Sequence, residues 1–201
     1  MRGKFIVIEG LDGSGKSTQA KKLAQSIPNS LLTREPSDNN IGALCRAAFS
    51  KELDLSLQSI MLLLIADRIE HLEKIVVPAL EAGRDVICDR YYLSNMAYQG
   101  QHEREIKEIY ELNKKFGAPV PDLTIFLSIE PEKALERIKA RSSAQTVFEE
   151  LQKLKKIHEN YGQAIQFLRE QGEMVVEIPA VLSEDEVAAE ILRVVTGKLS
   201  G

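Results

Sequence analysis

The sequence predicts a doubly wound α/β domain, a five-stranded parallel sheet with helices on both faces. Two observations carry this expectation. Five short β-branched runs alternate along the chain with longer stretches of helical periodicity, the pattern of consecutive β-α-β units. The runs are also continuously apolar rather than alternating, as strands covered on both faces must be. A length of 201 residues, with no linker, low-complexity segment or internal repeat, fits one domain over residues 1–201.

Each element has its own signal. Phe5-Ile6-Val7-Ile8 reads as the first strand, and a glycine loop then opens a helix running to about Ser26. Ser30–Thr33 is a weaker strand. A long helix opens at Ser56 and carries Leu57, Ile60, Met61, Leu64, Ile65, Ile69 and Leu72 at helical spacing. Pro78, lacking an amide donor, should end or kink it. Asp85–Asp89 is the third strand and Leu123–Ile129 the fourth. Pro131 suits the first turn of a helix continuing through Ala134, Leu135 and Ile138. Met174–Ile178 is the fifth strand. Ser183 and Glu186 form a capping box for a last helix that carries Val187, Ile191, Leu192 and Val195. In such folds ligands sit beyond the carboxyl ends of the strands, so the residues just after each strand carry the functional expectation.

Composition narrows the classes. Lys plus Arg number 26 against 30 Asp plus Glu, a net charge of −4. That argues against a nucleic-acid binder with a basic face, but leaves room for an anion site built from a few converging cations. The two cysteines, Cys45 and Cys88, form no metal-ligand pattern, and Cys88 reads as a small buried hydrophobe. The longest apolar run, Ile60–Ala66, stops at Asp67, short of a membrane span. A soluble, cytoplasmic protein is expected. With no Trp, 5 Tyr and 6 Phe, any site that stacks a flat ring has few side chains to draw on.

Directly after the first strand stands Gly10-Leu11-Asp12-Gly13-Ser14-Gly15-Lys16-Ser17-Thr18, which satisfies G-x-x-x-x-G-K-[ST]. Its glycines let successive N–H groups face phosphate oxygens, and the helix N-terminus adds its dipole. Lys16 would reach the β- and γ-phosphates and the Ser17 hydroxyl would bind Mg²⁺. A P-loop names a nucleoside triphosphate, not a reaction. A small-molecule kinase, a GTPase switch and a mechanical ATPase all remain possible. A guanine-specific switch would want N-K-x-D after a strand. The nearest match, Asn113-Lys114-Lys115-Phe116, lacks the carboxylate and follows a helical pattern. A kinase needs a second pocket with cations for the acceptor. Arg34 after the second strand, Arg90 after the third and Arg68 in the long helix offer them. The plainer alternatives are a surface cation for Arg34 and, for Arg68, an ion pair with Asp67 or a neighbouring acid. Asp89 stands where a strand-end carboxylate orients Mg²⁺, the alternative being a helix cap.

Taken together, G-L-D-G-S-G-K-S-T-Q, T-R-E-P, L-L-L-I-A-D-R-I-E-H, C-D-R-Y-Y-L-S-N-M-A-Y-Q-G and P-D-L-T-I-F-L-S-I resemble thymidylate kinase in order and spacing, from residue 4 to about 180. The resemblance implies a P-loop NTPase fold in three layers and transfer of the γ-phosphoryl of ATP, with Mg²⁺, to dTMP. It also implies a homodimer. It implies that Asp12 contacts the acceptor 3′-hydroxyl, and that Arg34 and Arg90 hold the acceptor phosphate. Arg68 would hydrogen-bond the thymine carbonyl, while Asn95, Tyr98 and Gln99 surround base and deoxyribose, Tyr98 crowding a 2′-hydroxyl. For Asn95 and Gln99 alone an exposed helix face is an equal reading. Two positions depart from the family. Leu64 stands where relatives carry a Phe that stacks on thymine, so a kinase for another deoxynucleoside monophosphate is an alternative, as is a P-loop nucleotide switch. Ser128 stands where many relatives have Asp.

Some relatives carry an arginine inside the phosphate loop, but that position is Gly13 here. The resemblance therefore moves the transition-state cation to a lid at about residues 137–149, with Arg141 first and Arg137 second. The alternative is a solvated helix end. A monophosphate acceptor is already anionic, its second pKa being about 6, so no general base is required. His71, His102 and His158 read as surface or packing residues, and Lys153-Leu154-Lys155-Lys156 as a solvated helix face.

Overall fold

A computed structural model describes residues 1–140 and 147–199. Five parallel strands, β1 (Phe5–Gly10), β2 (Leu31–Arg34), β3 (Val86–Asp89), β4 (Leu123–Ser128) and β5 (Val175–Pro179), form one sheet. Their order is β2-β3-β1-β4-β5. β1 lies at the centre and is buried along its whole length, as its unbroken apolar run requires. Each fully buried Ile or Phe of that run contributes about 1.5–3 kcal/mol. The edge strand β2 instead alternates between half-buried and exposed positions. The register pairs Ile8 with Asp89 and Gly10 with Leu127. The chain leaves β1 on one side for β2 and β3 and then crosses to β4 and β5, so the strand order reverses beside β1. The crevice at such a reversal is where these folds hold ligands.

The helices are α1 (Lys16–Ser26), α2 (Asn40–Phe49), α3 (Leu57–His71), α4 (Val77–Glu81), α5 (Tyr92–Gln99), α6 (Glu103–Lys115), α7 (Pro131–Lys139), α8 (Val147–Glu170) and α9 (Glu184–Leu199). α1 packs on α9, while α5, α6 and α8 pack on one another. Ser56 caps α3 through Ser59 N–H at 3.1 Å. Ser183 and Glu186 cap α9 reciprocally at 3.3 and 2.9 Å. Pro78 does not end the helix, which runs on to Glu81. A π turn over Leu72–Val76, in which Val77 N–H reaches Leu72 O, precedes it and takes up the ring's misfit. Helix α2 has no counterpart among the sequence expectations. It is capped by Asn39, whose side chain accepts from Gly42 N–H at 2.8 Å. A small second core of Cys45, Ala48, Ile60 and Leu64 joins α2 to α3. Among the described residues no helix is long and apolar enough to cross a membrane.

Candidate active site

The phosphate loop leaves β1 through Gly10 and enters α1 at Lys16. Gly10 has φ 148°, and a Cβ there would lie 2.8 Å from Leu127 O. Gly13 has φ 84°, and its Cβ would lie 2.6 Å from Ala134 O. Both positions demand glycine on two counts, backbone conformation and close approach. Leu11 anchors the loop, wholly buried, and its carbonyl accepts from Ser14 N–H at 3.1 Å and from Lys16 Nζ at 2.7 Å. Lys16 is 6% exposed. Burial, then the Arg90 charge, lower its pKa to about 7. Ser17 and Thr18 line a cavity of about 300 Å³ beside this loop, together with Gly15, Arg34, Asp89 and Arg90.

Asp89, at the end of β3, takes a short hydrogen bond from Ser17 Oγ through Oδ2. Its other oxygen, Oδ1, is buried with no partner. A hydroxyl and a carboxylate with an orphaned oxygen form an all-oxygen donor set, the kind that suits Mg²⁺ and its waters. Asp89 caps no helix, since α5 begins after Tyr91. Arg34 is exposed and paired with Asp38 at 2.6 Å. Arg46 of α2 reaches the same cavity while holding the carbonyls of Pro36 and Ser37 at 3.2 and 2.5 Å.

Arg90 follows β3 in the left-handed region, φ 73°. A non-glycine residue holds that conformation only where its surroundings fix it. Its N–H donates to Ile8 O at 3.0 Å. Its guanidinium donates to Ser94 Oγ at 2.8 Å and Tyr98 Oη at 3.4 Å, and closes a short ion pair with Asp12. Desolvation raises the Asp12 carboxyl, but the Arg90 and Lys16 charges and the Tyr98 hydroxyl, which donates to Oδ2 at 3.1 Å, outweigh it and hold the pKa below its usual value. Beneath lies Glu9, fully buried. Its carboxylate accepts from the N–H groups of Tyr91 and Ser94 at 2.8 and 3.0 Å and from Ser94 Oγ at 2.5 Å. It thus caps α5, and burial still raises its pKa against the pull of Arg90.

A second cavity of about 900 Å³ opens on the other side of Arg90. Arg68, Asn95, Tyr98, Gln99 and Leu64 all line it. The ion pair of Arg68 is with Glu35 rather than Asp67: Nε and Nη2 lie 2.8 and 2.6 Å from Glu35 Oε2. Nη1 donates to Asn113 Oδ1 at 2.5 Å and Asn95 Oδ1 at 3.5 Å, and the guanidinium lies 5.0 Å from the Tyr91 ring centroid. Asp67 instead accepts from the N–H and hydroxyl of Ser37 at 2.7 and 2.6 Å. Asn95 is 2% exposed, so the exposed-face reading fails for it; Gln99 is half-buried and accepts from Asn95 Nδ2 at 3.1 Å. Leu64 is buried within the small α2–α3 core.

Arg137 donates to Ala180 O at 2.8 Å and Gly13 O at 3.5 Å, so it ties the phosphate loop to the segment after β5. Arg141, with residues 141–146 of the expected lid, lies outside the described residues. Ser128 donates to Ile178 O at 3.4 Å. His71 is a packing residue with two partners, Thr33 Oγ1 at 2.6 Å and Glu35 Oε1 at 3.2 Å. Glu35, His71 and Cys88 bring ligand atoms within 4.8 Å of one another. Both imidazole nitrogens are engaged and Arg68 neutralises Glu35, so this group supports Arg68 rather than a cation. Tyr161, whose hydroxyl donates to Gly10 O at 3.1 Å, joins Glu9, Glu35, Arg46 and Asn113 as residues with no site role among the sequence expectations. An acid inside an apolar strand, as Glu9 is, was the one legible signal among them.

The fold, a phosphate loop at the strand reversal and a second cavity lined by Arg68 agree with comparison to known proteins. The model of the family described as "Thymidylate kinase" matches residues 8–191. A "Probable thymidylate kinase" of Pyrococcus horikoshii is 38% identical over 211 aligned residues covering 100% of both chains. One of Methanosarcina mazei is 38% identical, covering 96% of this chain and 95% of its own. A "Thymidylate kinase" of Desulfotalea psychrophila is 38% identical over 77% of this chain and 78% of its own. The chain belongs to the thymidylate kinase family.

Proposed function

We propose that this chain transfers the γ-phosphoryl group of ATP to dTMP, giving ADP and dTDP. The observation that carries the reading is that the two cavities share Asp12, Glu35, Pro36 and Arg90 as common wall. Ligands in the two cavities would meet at Arg90. The cavity beside the phosphate loop takes the triphosphate, with loop N–H groups and Lys16 around its β- and γ-phosphates. The larger cavity takes the nucleoside monophosphate. Its phosphate faces Arg34, Arg46 and Arg90, three cations that offset the repulsion of two phosphorylated ligands.

In the transfer, an acceptor phosphate oxygen forms a bond to the γ-phosphorus while the bond from that phosphorus to the β–γ bridging oxygen breaks. The acceptor is anionic at neutral pH, so the chain supplies position and positive charge rather than a base. Ser17 and Asp89 would hold Mg²⁺, which when bound neutralises β- and γ-phosphate oxygens. Asp12 accepts from the acceptor 3′-hydroxyl, the Tyr98 ring excludes a 2′-hydroxyl, and Arg68 donates to the base. Arg137 braces the phosphate loop, and the transition-state cation is Arg141 from the lid. We further propose a single functional domain over residues 1–201, a cytoplasmic location and a homodimer. Exposed Leu44 on α2 and Leu62 on α3 support the last.

The test is ATP-dependent turnover with dTMP, dUMP, AMP, GMP, CMP and thymidine as acceptors. Preference for dTMP is expected. Phosphorylation of thymidine without turnover of dTMP would contradict the proposal.

A further inference from the structure

Leu64 lines the apolar half of the larger cavity but offers it no π face. That side chain is 8% exposed, taken up by Cys45, Ala48 and Ile60 in the small α2–α3 core. Among the described residues, the aromatic rings lining the cavity are Phe49, Tyr91 and Tyr98. Tyr91 is 1% exposed and lies against the Arg68 guanidinium. Tyr98 commits its hydroxyl to Asp12 and lies 5.1 Å from the Arg90 guanidinium. Phe49 differs from both. It is the last residue of α2, lines the cavity, is 50% exposed, and has no ring partner among the described residues. An apolar ring left half in water at the edge of an apolar wall, here with Leu53, Leu57 and Ile60, favours a ligand that covers it.

The helix that carries Phe49 contributes to both cavities. Arg46 stands three residues earlier, so the two side chains are neighbours on the helix surface. Arg46 lines the phosphate cavity and Phe49 the larger one. The Asn39 cap and the Arg46 bonds to Pro36 O and Ser37 O fix α2 against the loop after β2. α2 therefore presents a cation to the cavity beside the phosphate loop and a ring to the larger cavity.

We infer that Phe49 supplies the aromatic face against which the acceptor base is held, in place of the face absent at Leu64. This rests on the kinase reading above and names the residue that sets base binding within it. Arg68, Asn95 and Gln99 meet the polar edge of the base, and Phe49 meets its π face.

The test measures KM for dTMP and for ATP, with kcat, in the wild type, Phe49→Ala, Phe49→Leu, Phe49→Tyr and the double variant Phe49→Leu/Leu64→Phe. Loss of one base–aromatic contact should raise the KM for dTMP by roughly 5- to 150-fold in Phe49→Ala and Phe49→Leu. The KM for ATP should stay within about twofold, which also reports an intact fold. Phe49→Tyr should retain, and the double variant recover, most of the dTMP affinity. An unchanged KM for dTMP in Phe49→Ala and Phe49→Leu, in an enzyme that phosphorylates dTMP, would overturn the inference while leaving the kinase reading intact. A wild type that forms no dTDP would overturn the kinase reading, and Phe49's role with it.

Discussion

Lys16 enters the site as a buried ammonium with few compensations. Its Nζ donates to Leu11 O and lies 4.0 Å from Asp12, while burial and Arg90 lower its pKa to about 7. The sign of the consequence follows. Below that pH the folded chain holds the charge at a cost. Between there and the unfolded value of 10.5, the folded chain has lost a proton that the unfolded chain keeps, so this group's contribution to stability rises with pH across the window. Anionic phosphates in the loop reverse the shift by favouring the ammonium. ATP binding at about pH 8.5 should therefore take up close to one proton, falling toward none near pH 6. Calorimetry in buffers of differing ionisation enthalpy measures this directly; proton release or no exchange at the higher pH would contradict it. That Lys16 opens the helix after the glycine loop was legible in the glycine-lysine-serine spacing. Its depressed pKa was not, because it comes first from burial in the folded chain and then from Arg90, 74 residues away in sequence.

Helix α7 lies directly against the phosphate loop. Gly13 has φ 84° and its missing Cβ points at Ala134 O, 2.6 Å away, so even a methyl group forces loop and helix apart. Gly13→Ala should raise the KM for ATP by about tenfold or more, since small misplacements of reacting groups cost rate steeply. It should leave the KM for dTMP near its wild-type value. Initial-rate kinetics over both substrates test this, and equal effects on the two would contradict the packing argument. The long elements were readable because their stripes are large and apolar, as in α3 and β1. Helix α2 was not, because its buried residues are Gly42, Cys45 and Ala48, small side chains that leave no stripe. Of the two outcomes Pro78 allows, an end or a distortion, the helix shows the second, a π turn over Leu72–Val76 after which it runs on to Glu81. Glu35 and Asn113 were invisible as partners of Arg68, since the three lie on β2's following loop, α6 and α3 and meet only in the folded chain.

Across the whole molecule, a net charge of −4 conceals a local concentration of cations. Arg34, Arg46, Arg90 and Lys16 gather where the strand order reverses beside β1, and each acid near them has a definite task. Asp12 pairs with Arg90, Glu9 holds the helix that follows Arg90, and Asp89 engages Ser17. The two cavities meet across Arg90, and the transfer of a phosphoryl group between their occupants is the central claim. The most direct test is formation of dTDP from dTMP and ATP by the wild type, Arg90→Ala and Arg90→Lys. The wild type should form dTDP, and Arg90→Ala should lose about 100-fold or more in kcat, as removal of a charge-stabilising donor does. Arg90→Lys should recover only part of that, because an ammonium lacks the guanidinium fork. Wild-type kcat in Arg90→Ala would contradict the account.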